Sequence, residues 1–347
     1  MSEGKPVFKI GSRKSELALI QTNIVIDELK KIYPNYLYEI VTMTTTGDQI
    51  LDKPLPKIGQ KSLFTKELET ALLNDEVDLL VHSLKDLPTV LPSGLALGAI
   101  LEREDARDAL LLHPKHRGLT LASLPENSII GTSSLRRAAQ LKRNFPKLTI
   151  KDIRGNLQTR LKKLNQGIYD GIILAVAGVH RMGWEDRISQ VLLETDMLYA
   201  VGQGALAVEC RKKDCPLFAG LYHVDTAFCC IAERSLLNTL GGGCSAPVAV
   251  HSRLETSDGR LYLTAAVWSL DGSETLQKTA STTVIKPDLQ SGDDLSEISF
   301  CGVTVECLGK YHIRQAVKLG VDVANDLIEK GALKIIEDAK NATLTER

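Results

Sequence analysis

Ten lysines and arginines fall between Arg136 and Lys163 against a single acid, Asp152. A run of charge is on general grounds a solvated helix face, but two details of spacing argue for anion binding. Arg136 and Arg137 follow Thr132, Ser133 and Ser134, residue types that open a helix, so both guanidiniums belong to its first turn. Cations are disfavoured at that end of the helix dipole unless an anion is bound there. Backbone N–H groups, hydroxyls and two guanidiniums at one turn are the equipment of an anion site. Arg154, Gly155 and Asn156 repeat the arrangement at the next strand-to-helix junction, with Arg160 one to two turns later. In adjacent parallel units both junctions face the carboxyl edge of one sheet, where α/β folds bind ligands. Two anion sites on one edge imply a ligand with several negative groups.

The start of the chain carries a smaller version, Gly11, Ser12, Arg13 and Ser15 after a short apolar run. Another apolar run ends in HSLKDLP, from His82 to Pro88, which puts Lys85 and Asp86 where the chain leaves a sheet. A surface ion pair there would contribute little. A carboxylate beside a cationic cleft is instead an acid/base group with Lys85 as a fixed charge, and the sheet-edge position favours that reading. Cys244 follows three glycines and precedes Ser245, Ala246 and Pro247. Cysteine is usually a buried, inert thiol, yet glycines let a backbone expose a side chain. A thiolate there would be a nucleophile or an attachment point, and spacing alone leaves both readings open. GQGALA, from Gly202 to Ala207, mimics a dinucleotide fingerprint but runs into strand-like residues instead of a helix. Cys210, Cys215, Cys229 and Cys230 fit no standard zinc spacing, so no metal is expected.

The elements that must position these residues alternate between strand and helix. Val7 to Ile10, Tyr38 to Met43 and Val77 to His82 read as strands, with helices over Lys14 to Ile32 and Thr65 to Leu73. A second set follows the charged stretch LEREDARDAL. It has strands at Ile129 to Gly131, Leu148 to Ile153 and Ile172 to Val176, and helices in TSSLRRAAQLKR and GNLQTRLKKLNQG. Strands interleaved with helices of this length predict parallel α/β units. From Val224 a helix runs into Gly241 to Gly243, and then PVAVHS, LYLTAAVWS and STTVI read as strands before a helix from His312 to Glu329. That composition predicts a smaller α+β domain, with PDLQSGDDLSE as a surface loop.

At 347 residues the chain is too long for one ordinary core, and its formal net charge of -1 gives no global pull toward nucleic acid or membrane. The N-terminus has no apolar h-region and the longest apolar run, near GIILAVAGV, is too short to span a bilayer. Seven cysteines without a secretory signal predict reduced thiols and a cytoplasmic setting. Nucleic-acid binding through the basic segment would require stacking aromatics, and aromatics are only 5% of the chain.

HSLKDLPT, GTSSLRRAAQL, IRGNLQTRL, AVGQGALAVE and GGGCSAPVAV, in that order between Ile10 and the region of Trp268, resemble the porphobilinogen deaminase family. The resemblance implies an enzyme that joins four porphobilinogen units head to tail with loss of ammonia, giving the linear tetrapyrrole hydroxymethylbilane. It implies a dipyrromethane cofactor on the cysteine of the GGC motif, here Cys244, and a catalytic carboxylate in KDLP, here Asp86. The implied fold is two periplasmic-binding-protein-like α/β domains with a cleft between them, plus a smaller α+β C-terminal domain. The corresponding boundaries are 1–103 with 201–222, 104–200, and 223–347. Carried over residue by residue, Lys85, Thr132, Ser134, Arg136, Arg137, Gly155, Asn156 and Arg160 would hold the cofactor. Arg13, Ser15, Arg154, Arg181 and Gln203 would hold substrate, and Lys57 and Lys61 would sit in a mobile lid. A monomer is implied. The family commonly has an arginine at the position of Cys229 and a larger residue at Gly241. A periplasmic-type protein that captures a small polyanion without chemistry is the alternative.

Overall fold

The chain begins with a strand, β1 (Val7–Arg13), that is buried from Ile10 through Ser12 because strands lie on both sides of it. A computed structural model describes residues 5–45, 65–241, 246–284, 301–303 and 310–345. After β1 come α1 (Glu16–Ile32), β2 (Leu37–Met43), α2 (Lys66–Leu73), β3 (Leu79–Ser83) and β4 (Leu95–Ile100). The chain then crosses into a second lobe made of β5 (Asp108–Leu112), β6 (Ile129–Gly131), α3 (Leu135–Asn144), β7 (Thr149–Lys151), α4 (Leu157–Asn165), β8 (Gly171–Ala175), α5 (Val176–Arg181) and β9 (Ile188–Val191). It returns to the first lobe as β10 (Leu206–Arg211).

The two lobes repeat one plan. Their five-stranded sheets run β2-β1-β3-β10-β4 and β7-β6-β8-β5-β9. The predicted parallel units are present in β2-β1-β3 and in β7-β6-β8. The fourth strand of each sheet departs from the expectation, since β10 is antiparallel to β3 and β4, and β5 is antiparallel to β8 and β9. Both are the strands delivered by a crossover from the other lobe, so they enter at the carboxyl edge and run back through the sheet. Residues 101–107 and 192–205 therefore form a double crossover beside that edge.

A short α6 (Cys215–Phe218) precedes the third part, which contains α7 (Val224–Thr239), an antiparallel sheet of β11 (Val248–Glu255), β12 (Arg260–Trp268) and β13 (Thr275–Thr283), then α8 (Lys310–Glu329) and α9 (Ala332–Thr345). α6 packs on the first lobe, where Cys215 and Phe218 share a core with Phe8, Val25 and Val208. α7 and α8 cover the three-stranded sheet through Phe228, Ile231, Leu263, Val323 and Leu327, all fully buried. Each such side chain contributes about 1.5–3 kcal/mol. The alternation of strands and helices thus yields the expected two α/β layers and a smaller α+β layer. PDLQSGDDLSE lies outside the described residues.

Candidate active site

Asp86 owes its exposure to its neighbours. Leu84–Asp86 form one tight turn after β3, closed by the Leu87 N–H donating to the Leu84 carbonyl at 3.2 Å. Leu84 and Leu87 are both buried, in the same core as Phe228 and Ile231 of α7. From α7 the buried Arg234 donates to the carbonyls of Leu87 at 3.2 Å and Pro88 at 2.7 Å. Gln21 of α1 donates to Ser83 Oγ at 2.9 Å. With both flanks pinned, Asp86 stands exposed at the carboxyl edge of the sheet. Its charge acts on Lys85 in its own lobe and on Arg160 in the other.

The first basic junction forms as its sequence predicts. Ser134 caps α3 with its Oγ accepting the Arg137 N–H at 3.5 Å, and the buried Thr132 accepts the Ser134 N–H at 3.2 Å. Ser133 donates to the Ile153 carbonyl. The anion demanded by two guanidiniums in a first turn is partly internal, because Asp108, buried at the start of β5, receives Arg136 Nη1 at 2.8 Å and Arg137 Nη2 at 2.7 Å. Arg136 also donates to the Leu198 carbonyl and Arg137 to that of Ile173. Burial alone would raise the Asp108 carboxyl, but the two arginines hold it well below the usual range. Arg137 Nε is buried and has no acceptor among the described residues.

The second junction is open. Gly155, with φ of +105°, takes a conformation that a side chain would oppose, and a Cβ there would meet Thr159 at 2.6 Å. The turn lets Asn156 cap α4, its Oδ1 accepting the Thr159 N–H at 2.9 Å. Arg154 grips Asp152, which is half exposed, at 2.6 Å. Arg160 donates Nε to the Gly155 carbonyl at 2.8 Å. Burial, and then Arg137, pulls the Arg160 guanidinium down to about 10. Lys85 is pulled down to about 8, chiefly by desolvation, with Arg137 and Arg136 adding to the fall and Asp86 and Asp108 opposing it. Lowered values at cations mean positive charge without full compensation, the state an arriving carboxylate relieves.

Gln203 and Arg181 are held by the double crossover. Gln203 Nε2 donates to Asp108 at 2.8 Å and to the Ala106 carbonyl at 2.7 Å, while its Oε1 lies 3.5 Å from Lys85 Nζ. Arg181 donates to Glu104 and to the Gly204 carbonyl, both at 2.7 Å. The two crossing strands touch at Gly204, where a Cβ would lie 2.5 Å from the Glu104 carbonyl oxygen. Arg103 binds both oxygens of the buried Glu233 in α7, at 2.7 and 3.1 Å, and donates to the Gln203 carbonyl. Cys229 sits on the same helix with its thiol pushed up to about 11 by burial, so it brings no charge where the family commonly has an arginine.

Arg13 ends β1, the strand beside β3, and Ser15 caps α1 by accepting the Ala18 N–H at 3.3 Å. Lys57, Lys61 and Cys244 lie outside the described residues. Lys85 feels the charges of Asp86, Arg136 and Arg137, and Arg160 those of Asp86, Arg137 and Arg154. Asp108, Arg103 and Glu233 were not singled out from the sequence. Asp108 opens the apolar run DALLL, and a carboxylate at the head of a buried strand was the available signal.

The family described as porphobilinogen deaminase, dipyromethane cofactor binding domain, matches residues 8–218, and its C-terminal domain family matches 227–329. A porphobilinogen deaminase of Nostoc sp. is 50% identical over 284 residues, 81% of this chain and 87% of the relative. One from Gloeobacter violaceus is 55% identical over 267 residues, 76% and 81% of the two chains. The Dictyostelium discoideum protein of that name is 44% identical over 339 residues, 95% of each.

Proposed function

The chain belongs to the porphobilinogen deaminase family, and from that premise we propose how its residues carry out the polymerisation. The protein is a transferase that joins four porphobilinogen units with loss of ammonia to give hydroxymethylbilane, and it uses a dipyrromethane. The matches favour this over a polyanion carrier without chemistry. One observation carries the assignment of roles: Asp86 stands exposed between two buried leucines, and its charge reaches cations in both lobes.

The residues fit the cofactor. A dipyrromethane with acetate and propionate arms needs several cationic partners. The buried Arg137 Nε, without an acceptor among the described residues, the desolvated Lys85 and Arg160, and the capped starts of α3 and α4 supply them. Lys85, Thr132, Ser134, Arg136, Arg137, Gly155, Asn156 and Arg160 would hold it, with Cys244 as the attachment point. When bound it supplies the pyrrole carbon to which new units are joined. Arg13, Ser15, Arg154, Arg181 and Gln203 are the proposed substrate residues, and Arg181 and Gln203 also hold the crossover. Lys57 and Lys61 would belong to a lid, as the resemblance implies. Asp86 stabilises the cationic carbon and pyrrole N–H that develop as ammonia departs, and it carries the proton between the amine and the coupled ring.

The domains in this reading are 1–103 with 201–222, 104–200, and 223–347. We assign a monomer in the cytoplasm that does not bind nucleic acid. Aromatic residues for base stacking are only 5% of the chain, and no helix among the described residues is long and apolar enough to cross a membrane.

Intact-protein mass tests the assignment. The chain purified from cells that make porphobilinogen should exceed its bare mass, and a bare mass would overturn the attachment. Asp86→Asn should keep that added mass while turnover falls roughly a hundredfold or more. Near-normal product formation by this variant would remove Asp86 from its role.

A further inference from the structure

We infer that Asp108 is a positioning residue for this reaction: one buried carboxylate sets the places of Arg136 and Arg137 in the second lobe and, through Gln203, of Lys85 in the first. The inference rests on the function proposed above.

The geometry gives a chain of bonds with a fixed direction. The ionised Asp108 carboxylate can only accept, and it takes Arg136 on Oδ2 at 2.8 Å and both Arg137 and Gln203 on Oδ1, at 2.7 and 2.8 Å. Gln203 must therefore present its NH2 to Asp108 and to the Ala106 carbonyl. Its remaining oxygen then faces Lys85 Nζ at 3.5 Å, and an ammonium can only donate. An acceptor-only group at one end and a donor-only group at the other leave the amide one orientation. The bridge spans the two crossovers, since Asp108 ends the outgoing one and Gln203 lies in the returning one.

A purely structural ion pair would need one arginine. Asp108 instead divides its two oxygens between two guanidiniums, and each arginine is fixed a second time by a backbone carbonyl, of Leu198 or Ile173. The group carries net positive charge, and Arg137 Nε is left without an acceptor among the described residues. Asparagine at 108 would offer one acceptor in place of two, leave two buried cations facing each other, and free Gln203 to flip. The charged groups acting on Lys85 include Asp86, Asp108, Arg136 and Arg137. Of these, Asp86 and Asp108 favour its ammonium, so loss of the Asp108 charge should make Lys85 easier to deprotonate.

The test compares full-length wild type, Asp108→Asn and Gln203→Met, all purified from cells that make porphobilinogen. For Asp108→Asn the expectation is a larger fraction at bare mass and KM for porphobilinogen raised roughly tenfold, with kcat changed less. The alkaline limb of kcat/KM should move to lower pH by about half a unit or more. Gln203→Met should reproduce the pH displacement with a smaller change in KM. If Asp108→Asn fails to fold, Gln203→Met decides alone: a displaced limb supports the inference and an unmoved limb overturns it. A folded Asp108→Asn protein with the KM, loading and alkaline limb of wild type also overturns it. Failure of the underlying reading looks different, because wild type itself would then carry no added mass and form no tetrapyrrole.

Discussion

The two basic junctions of the second lobe look alike in sequence and differ in where their counter-charge comes from. At the first, Arg136 and Arg137 are buried and share Asp108, a carboxylate from a strand delivered by the other lobe. At the second, Arg154 pairs with Asp152, two residues away and half exposed, and Arg160 leans on a backbone carbonyl. A buried carboxylate fixes its partners in a low-dielectric setting, whereas an exposed one exchanges them readily with water and ligand. The first junction is thus a rigid frame and the second an adaptable contact. A site that must hold one cofactor while accepting successive substrate units uses both.

The sharpest way to break this comparison is to truncate one cation at each junction. Arg137→Ala leaves Asp108 buried with one guanidinium fewer, and breaking a buried pair costs about 3–5 kcal/mol. Arg154→Ala removes a partly exposed pair and should cost less than about 1 kcal/mol. Urea unfolding of the two variants, both as full-length protein, measures the difference. Equal losses would mean that the first junction is no more rigid than the second.

Ligand affinity should rank the junctions the other way relative to stability. Arg154→Ala and Arg160→Leu are expected to raise KM for porphobilinogen about tenfold or more, since a hydrogen bond to a charged group contributes about 1.5–3 kcal/mol, while their unfolding curves stay near wild type. A KM unchanged in both variants would leave the second junction without a binding role.

How far the sequence revealed this site follows from the range of each signal. The helix starts at Ser134 and Asn156 are local chemistry, polar caps with arginines close by in sequence, and both form where they were expected. HSLKDLP marks the end of a buried strand, so the edge position of Asp86 was also legible. β4 was not, because LALGAI is buried along its whole length and shows no alternation. β5 was hidden because its first residue closes the charged stretch LEREDARDAL, which reads as a boundary. Its pairing partners lie 59 to 82 residues later in the chain. The antiparallel insertion of β5 and β10 depends on the chain crossing twice between lobes, a fact of topology with no local pattern. For the same reason Arg136 and Arg137 called for an anion that the neighbouring sequence does not contain.

The smallest expected effect separates the two lobes by pH. Desolvation brings Lys85 from its ordinary 10.5 down to about 8, while Arg160 falls only to about 10. As pH rises from 7 to 9 the first lobe loses an ammonium and the second keeps its charge, so kcat/KM for porphobilinogen should fall roughly three- to tenfold. Lys85→Arg should flatten that limb. The stability change has the opposite sign. Between about 8 and the unfolded value the unfolded chain holds a proton on Lys85 that the folded chain has released, so raising pH through this window stabilises the fold. Activity that declines while the unfolding midpoint holds or rises would place the loss at Lys85. A parallel decline in both would assign it to alkaline unfolding and remove the distinction between the lobes.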